Sequence, residues 1–282
     1  LHAFTMFDHF FGAGGRIFDS AFIYNNGMGD KYLGKWMNSR GVQGEVIVIG
    51  KAAHTPHCEP KFIRPQIIES LERLQTTKLD IFCLHRDNPE VPVSEFIDAL
   101  TEVKNEGLID LIGASNWEFH RFSEARDYAS ISGRESFTVL SNNFSLAEMI
   151  EPVWPGCVGV TDQYLNYLIE EEVMLFPWSS QARGFFIKQK EVMSSDHFSN
   201  PNLDEEIRVW HHEKNLKRRQ ACFDIAEEKN VQPIQIALAY VLHKSHLIFP
   251  LIGPRTVFET NSSIQASQIN LTSKELQALA QD

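Results

Sequence analysis

The strongest constraint on this chain is a regular exchange of short apolar runs with longer segments that are apolar on one face. The runs fall at residues 18–24, 45–50, 79–84, 108–113, 137–141, 173–178 and 247–252. Between them the apolar spacing becomes helical. Ile67, Ile68, Leu71 and Leu74 share one face behind Pro65, and Phe96, Ile97, Leu100 and Val103 share another in a helix over 94–106 that stops at Gly107. Further helices are expected over 4–11, 30–37, 116–128, 162–170, 213–228 and 233–243, with two more starting near Val257 and Ser273. Strands that alternate with helices, and are apolar without interruption, belong to parallel βαβ units covered on both faces. Right-handed crossovers then bring every strand C-terminus to one side. Seven strands preceded by a helix predict an α/β (β/α)8 TIM-type barrel in one domain over 1–282, with the first strand lying before Leu1. An open doubly wound sheet is the rival, but Gly12-Ala13-Gly14-Gly15 precedes a strand, the wrong order for a dinucleotide fingerprint.

Composition narrows the partners. A formal net charge of -11 disfavours nucleic acid and anionic membrane surfaces, leaving a small molecule as the expected partner. With no apolar run of spanning length and no secretory signal, the expected compartment is the cytoplasm. Cys58, Cys83, Cys157 and Cys222 are far apart, and Cys83 lies within an apolar strand, so free thiols are expected. The sequence leaves the oligomeric state open.

Parallel strands give their ends a chemical meaning. Asp19 and Tyr24 stand on the first run, Lys51 ends the second and His85 follows the third. A phenol titrates near 10 (~10), too high for easy proton donation at neutral pH, and an adjacent ammonium favours its phenolate. Asp19 would hold Lys51 charged, and His85 would donate to a carbonyl oxygen. The four make a coherent proton-transfer unit. Phe22 and Ile23 beside Tyr24, and Arg86 after His85, are the expected substrate contacts.

The segment 19–24, Gly50-Lys51, Leu84-His85, Gly113-Ala114-Ser115-Asn116-Trp117, the segment 177–184 and Gly253-Pro254-Arg255-Thr256 resemble, in order and approximate spacing, the aldo-keto reductases. The resemblance covers nearly the whole chain. It implies an NADPH-dependent carbonyl reductase with Tyr24 as proton donor, tuned by Lys51 and Asp19, and with His85 orienting the carbonyl. It further implies that Ser115 and Asn116 hold the nicotinamide carboxamide, with Ser141 where many members carry a glutamine for that contact. Trp178 would stack on the nicotinamide ring, and Ser179, Ser180, Gln181, Arg183 and Gly184 would follow the pyrophosphate. Arg255 and Thr256 also have physical support: Thr256 and Glu259 form a capping-box pattern, so Arg255 stands at a helix N-terminus suited to a 2′-phosphate. Glu259 and Ser263 replace a glutamine and an asparagine usual near the adenine.

Two other readings compete. A non-catalytic regulatory subunit, resembling the potassium-channel beta subunits, would keep the fold and bind nucleotide. A metal-dependent hydrolase would draw on His54, His57 and Cys58 with Asp19 and His85, but no short metal-ligand spacing is present and no metal is expected. Trp36, Trp117 and Trp154 are expected in the core, and residues 194–206 as a surface loop or lid.

Overall fold

The computed structural model describes residues 2–187 and 203–281. Six strands, β1 (Ile17–Asp19), β2 (Ile47–Ala52), β3 (Leu79–Leu84), β4 (Ile109–Ala114), β5 (Val139–Leu140) and β6 (Met174–Leu175), form one sheet in chain order. The pairings from β1 through β5 are parallel. Helices α1 (His2–Gly12), α2 (Met28–Arg40), α3 (Ile63–Leu74), α4 (Val93–Asn105), α5 (Phe119–Ser132) and α6 (Asp162–Glu170) alternate with these strands. The expected α/β barrel class is borne out by this topology. Two compact units make up the chain, residues 1–141 with 166–174, and 142–165 with 175–282.

In the first unit, apolar side chains on both faces of the central strands explain their continuous runs. Ile49, Phe82, Leu84 and Ile112 are buried, as are Phe96, Ile97, Leu100 and Val103, the predicted inner face of α4. Trp36 and Trp117 are core residues as expected. Trp117 packs edge-on against Phe96 and Phe137, and Trp36 sits among Phe7, Phe11 and Phe18. Two glycines are demanded by close approach. A Cβ on Gly34 of α2 would lie 2.4 Å from the Leu74 carbonyl oxygen at the end of α3, and one on Gly113 would lie 2.4 Å from that of Val139.

Several expectations need correction. The run over 18–24 is a strand only to Asp19, because Asn25, Asn26 and Gly27 adopt left-handed backbone and turn the chain before α2. The helix expected behind Pro65 begins at Ile63, after a 3₁₀ turn (Pro60–Phe62) opened by Pro60. The helix expected from residue 116 begins at Phe119, since Asn116 is left-handed. β5 and β6 are two residues each, shorter than the 137–141 and 173–178 runs.

In the second unit, residues 247–252 form no strand. A parallel bridge joins Leu175 to Ile248, and Leu175 and Phe249 exchange backbone bonds with residues 247 and 175. Pro177 and Pro250 have no N–H with which to extend a ladder. Residues 194–202 of the expected lid lie outside the described residues, whereas 203–206 open the helix Leu203–Trp210. Helices Glu213–Lys229, Pro233–Leu242, Val257–Ala266 and Ser273–Leu279 match the expected positions. Trp154 departs from its expected core place: it is 48% exposed.

Candidate active site

Parallel register places the ends of β1, β2 and β3 side by side. Asp19 pairs with Ile49, Lys51 pairs with Cys83, and His85 follows the last residue of β3. Only 3% of the Lys51 side chain is exposed. Its ammonium donates to the Asp19 carboxylate and, at 3.2 Å, to the Ser20 carbonyl oxygen. Burial opposes a charge on this lysine, but Asp19 and the Tyr24 phenol hold its pKa above the usual lysine range. Burial raises the Asp19 carboxyl, and Lys51 pulls it back.

Tyr24 lies in the turn after β1. Its carbonyl accepts from the N–H groups of Gly27 at 3.1 Å and Gly29 at 3.2 Å. Lys51 Nζ sits 5.2 Å from the ring centroid, and the ring meets His85 edge-on at 5.7 Å. Lys51 and Asp19 both act on the phenol from close by. The expected net lowering of the phenol is not found: burial pushes it up and outweighs the pull of Lys51, while the charge of Asp19 adds to the rise. Since 38% of Tyr24 is open, burial acts on it less completely than on Lys51. The phenol is therefore protonated at neutral pH and lies beside a fixed cation.

His85 is 6% exposed, and its Nδ1 has no hydrogen-bond partner among the described residues. Burial, then the cations Lys51 and Arg86, hold it well below the ordinary histidine range. It is therefore neutral at pH 7 and carries one N–H that can donate to a carbonyl oxygen. His54, weighed from sequence as a metal ligand, packs its ring edge-on to His85 at 4.8 Å. Burial also lowers His54, opposed by its contact with the Thr55 carbonyl. Among the described residues no group of three or more His, Cys, Asp or Glu is arranged to hold a metal.

The expected substrate contacts divide. Phe22 lies under the guanidinium of Arg73 at 4.4 Å and gives its carbonyl to the same arginine at 2.9 Å, a partner that no motif announces. Ile23 is exposed. Arg86 is buried and donates to the His85 carbonyl at 2.9 Å. Beyond β4 and β5, the Ser115 hydroxyl donates to the Ser141 carbonyl at 2.6 Å and accepts from the Asn116 amide at 3.0 Å, so the three are tied together.

A sequence model described as the Aldo/keto reductase family matches residues 2–281. The chain belongs to the aldo/keto reductase family. It is an NAD(P)-dependent oxidoreductase of that type. Norsolorinic acid reductase B of Aspergillus parasiticus is 27% identical over 98% of this chain and 73% of its own length. Norsolorinic acid reductase stcV of Emericella nidulans is 26% identical, over 97% of this chain and 70% of its own. The aryl-alcohol dehydrogenase [NADP(+)] of Phanerodontia chrysosporium is 24% identical, over 98% and 74%.

In the second unit of this aldo/keto reductase, residues 179–184 form a turn of unusual backbone conformation. Ser179, Ala182 and Arg183 are left-handed without being glycine, and Gly184 follows them at φ 100. Each such residue costs about 1–3 kcal/mol and persists where surrounding structure enforces it, often at ligand clamps. Ser180 is anchored to the Leu251 carbonyl at 2.8 Å, and Gln181 accepts from Ser263. Trp178 is half-buried, with an indole N–H lacking any hydrogen-bond partner among the described residues. Asn143, which sequence reading passed over, is buried and donates to the Trp178 carbonyl at 3.1 Å. Trp154 lies 6.3 Å from Trp178 between ring centroids. Arg183 stacks over Trp154 and pairs with Glu205 at 2.8 Å. Arg255 is exposed ahead of the helix Val257–Ala266, where Thr256 and Glu259 form the predicted capping box. These residues fit a phosphorylated cofactor with a planar head.

Proposed function

We propose that the chain reduces an aldehyde or ketone carbonyl to the alcohol with NADPH, Tyr24 being the proton donor. The observation that carries this reading is the contact network of Tyr24, Lys51, Asp19 and His85 within the first unit. A bound nicotinamide supplies the hydride. His85, neutral, donates its N–H to the carbonyl oxygen and orients it. Tyr24 gives its proton to that oxygen as negative charge develops, and Lys51 stabilises the phenolate left behind. Asp19 fixes the lysine.

In the first unit, Ser115, Asn116 and Ser141 take the carboxamide. In the second, Trp178 supplies the ring face, residues 179–184 follow the pyrophosphate, and Arg255 with Thr256 takes the 2′-phosphate. Phe22, Ile23 and Arg86 are assigned to the substrate side. The names of the relatives make aryl aldehydes the first substrates to try.

NADPH titration followed by tryptophan fluorescence, then cofactor oxidation with a panel of aryl aldehydes, tests the reading. Tyr24→Phe is expected to abolish reduction while NADPH affinity is kept. Turnover surviving in Tyr24→Phe would remove Tyr24 as the donor. NADPH binding without turnover across the panel would favour a regulatory role.

A further inference from the structure

Asp30 is among the buried ionisable groups that the proton-transfer unit leaves unused. Asp30, in the first turn of α2, is 1% exposed. Its two carboxylate oxygens accept from different hydroxyls, one from Ser20 and the other, at 2.9 Å, from Ser70 of α3. A buried carboxyl group needs hydrogen-bond partners to offset its desolvation, and here two hydroxyls supply them. Packing alone would be served as well by an apolar side chain. What the carboxylate adds is direction.

That direction runs to the catalytic turn at both ends. Ser20 follows Asp19; its N–H donates to the Ile49 carbonyl at 2.8 Å, and its own carbonyl accepts from Lys51 at 3.2 Å. At the other end, Gly29, the residue before Asp30, gives its N–H to the Tyr24 carbonyl. Asp30 is thus joined through a hydroxyl to the carbonyl that holds Lys51, and through one peptide unit to the backbone of Tyr24. α3 braces the same turn a second time, through Arg73 and the Phe22 carbonyl.

We propose that Asp30 is a positioning residue that sets the spacing between the Lys51 ammonium and the Tyr24 phenol, by fixing Ser20 and the first turn of α2 to one another and to α3. The inference rests on the reading of Tyr24 as proton donor.

The test uses the full chain with 13Cζ-labelled tyrosine, the Tyr24 resonance being the one lost in Tyr24→Phe. In Asp30→Ala the Tyr24 resonance at neutral pH is expected to shift while the other five of the 6 tyrosines stay in place. Aryl-aldehyde kcat is expected to fall roughly 10- to 100-fold, as for a slight misplacement of a reacting group, with KM and NADPH affinity kept. Asp30→Asn, which retains the shape and one acceptor, should lie between Asp30→Ala and the parent. If Asp30→Ala does not fold, Asp30→Asn and Ser20→Ala report the same two quantities. A folded variant with an unmoved Tyr24 resonance and parental kcat overturns the proposal. So does a loss confined to KM or to nucleotide binding. A parent protein that binds NADPH but turns over no aldehyde would count against the donor reading, and the resonance shift would still decide the role of Asp30.

Discussion

At the scale of single residues, the site was legible where chemistry and chain position coincide and hidden where partners are remote in sequence. Asp19, Lys51 and His85 each mark the end of a parallel strand, so their meeting follows from topology. Asp30 carries no such mark. It looks like any polar residue at a helix start, and its partner Ser70 is 40 residues away. The pull of Lys51 on Tyr24 was readable as well, but the opposing effect of burial was not, because enclosure depends on packing that no motif encodes. The end proposed for the cofactor phosphate holds a similar surprise. Glu259 spends its carboxylate on the backbone N–H groups of Arg255 and Thr256, the donors that an anionic ligand would use. Glu259→Gln is therefore expected to tighten NADPH more than NADH, read by fluorescence titration of both nucleotides. Equal changes would separate Glu259 from the 2′-phosphate.

Among the elements, β3 matches its apolar run residue for residue, and β2 and β4 are displaced from theirs by one or two. These strands are covered on both faces, so burial and sequence pattern carry the same information. The outer runs mislead because apolar character does not secure a ladder. Prolines at 177 and 250 interrupt donors, and the left-handed residues at 25–27 bend the chain although the residues just before them are apolar. Helix starts shifted where a local turn intervened, as Pro60 and Asn116 show. The α2–α3 contact also gives a stability test. Gly34 is the point at which α2 touches the end of α3, and the neighbour is backbone with no rotamer to yield. Gly34→Ala is expected to destabilise by about 1–3 kcal/mol, the usual effect of overpacking, despite the higher helix propensity of alanine. Urea denaturation would measure this, and a variant as stable as the parent would mean that the helices move apart freely.

For the whole molecule, the buried and paired groups set a dependence on pH. His85 has a folded pKa far below its unfolded value near 6.5 (~6.5), so the unfolded chain takes up a proton that the folded chain refuses. Its contribution to stability is complete above that value and is lost as pH falls below it. Asp8, lowered to about 2 by its contacts with Arg40 and Trp36, adds a loss of the same sign at more acid pH. Asp19, raised by burial, acts in the opposite sense. The thermal midpoint is expected to drop between neutral pH and about pH 5, and to drop less in His85→Gln. Parallel curves for the two proteins would show that His85 binds its proton equally in both states. No helix among the described residues is long and apolar enough to cross a membrane. The free thiols of Cys58, Cys83 and Cys222 are all buried, and burial pushes the first two up to about 12. Neither forms much thiolate at neutral pH while the fold is closed, so an alkylating reagent finds them only when the surrounding structure opens. The core therefore keeps its own record of opening, written one cysteine at a time.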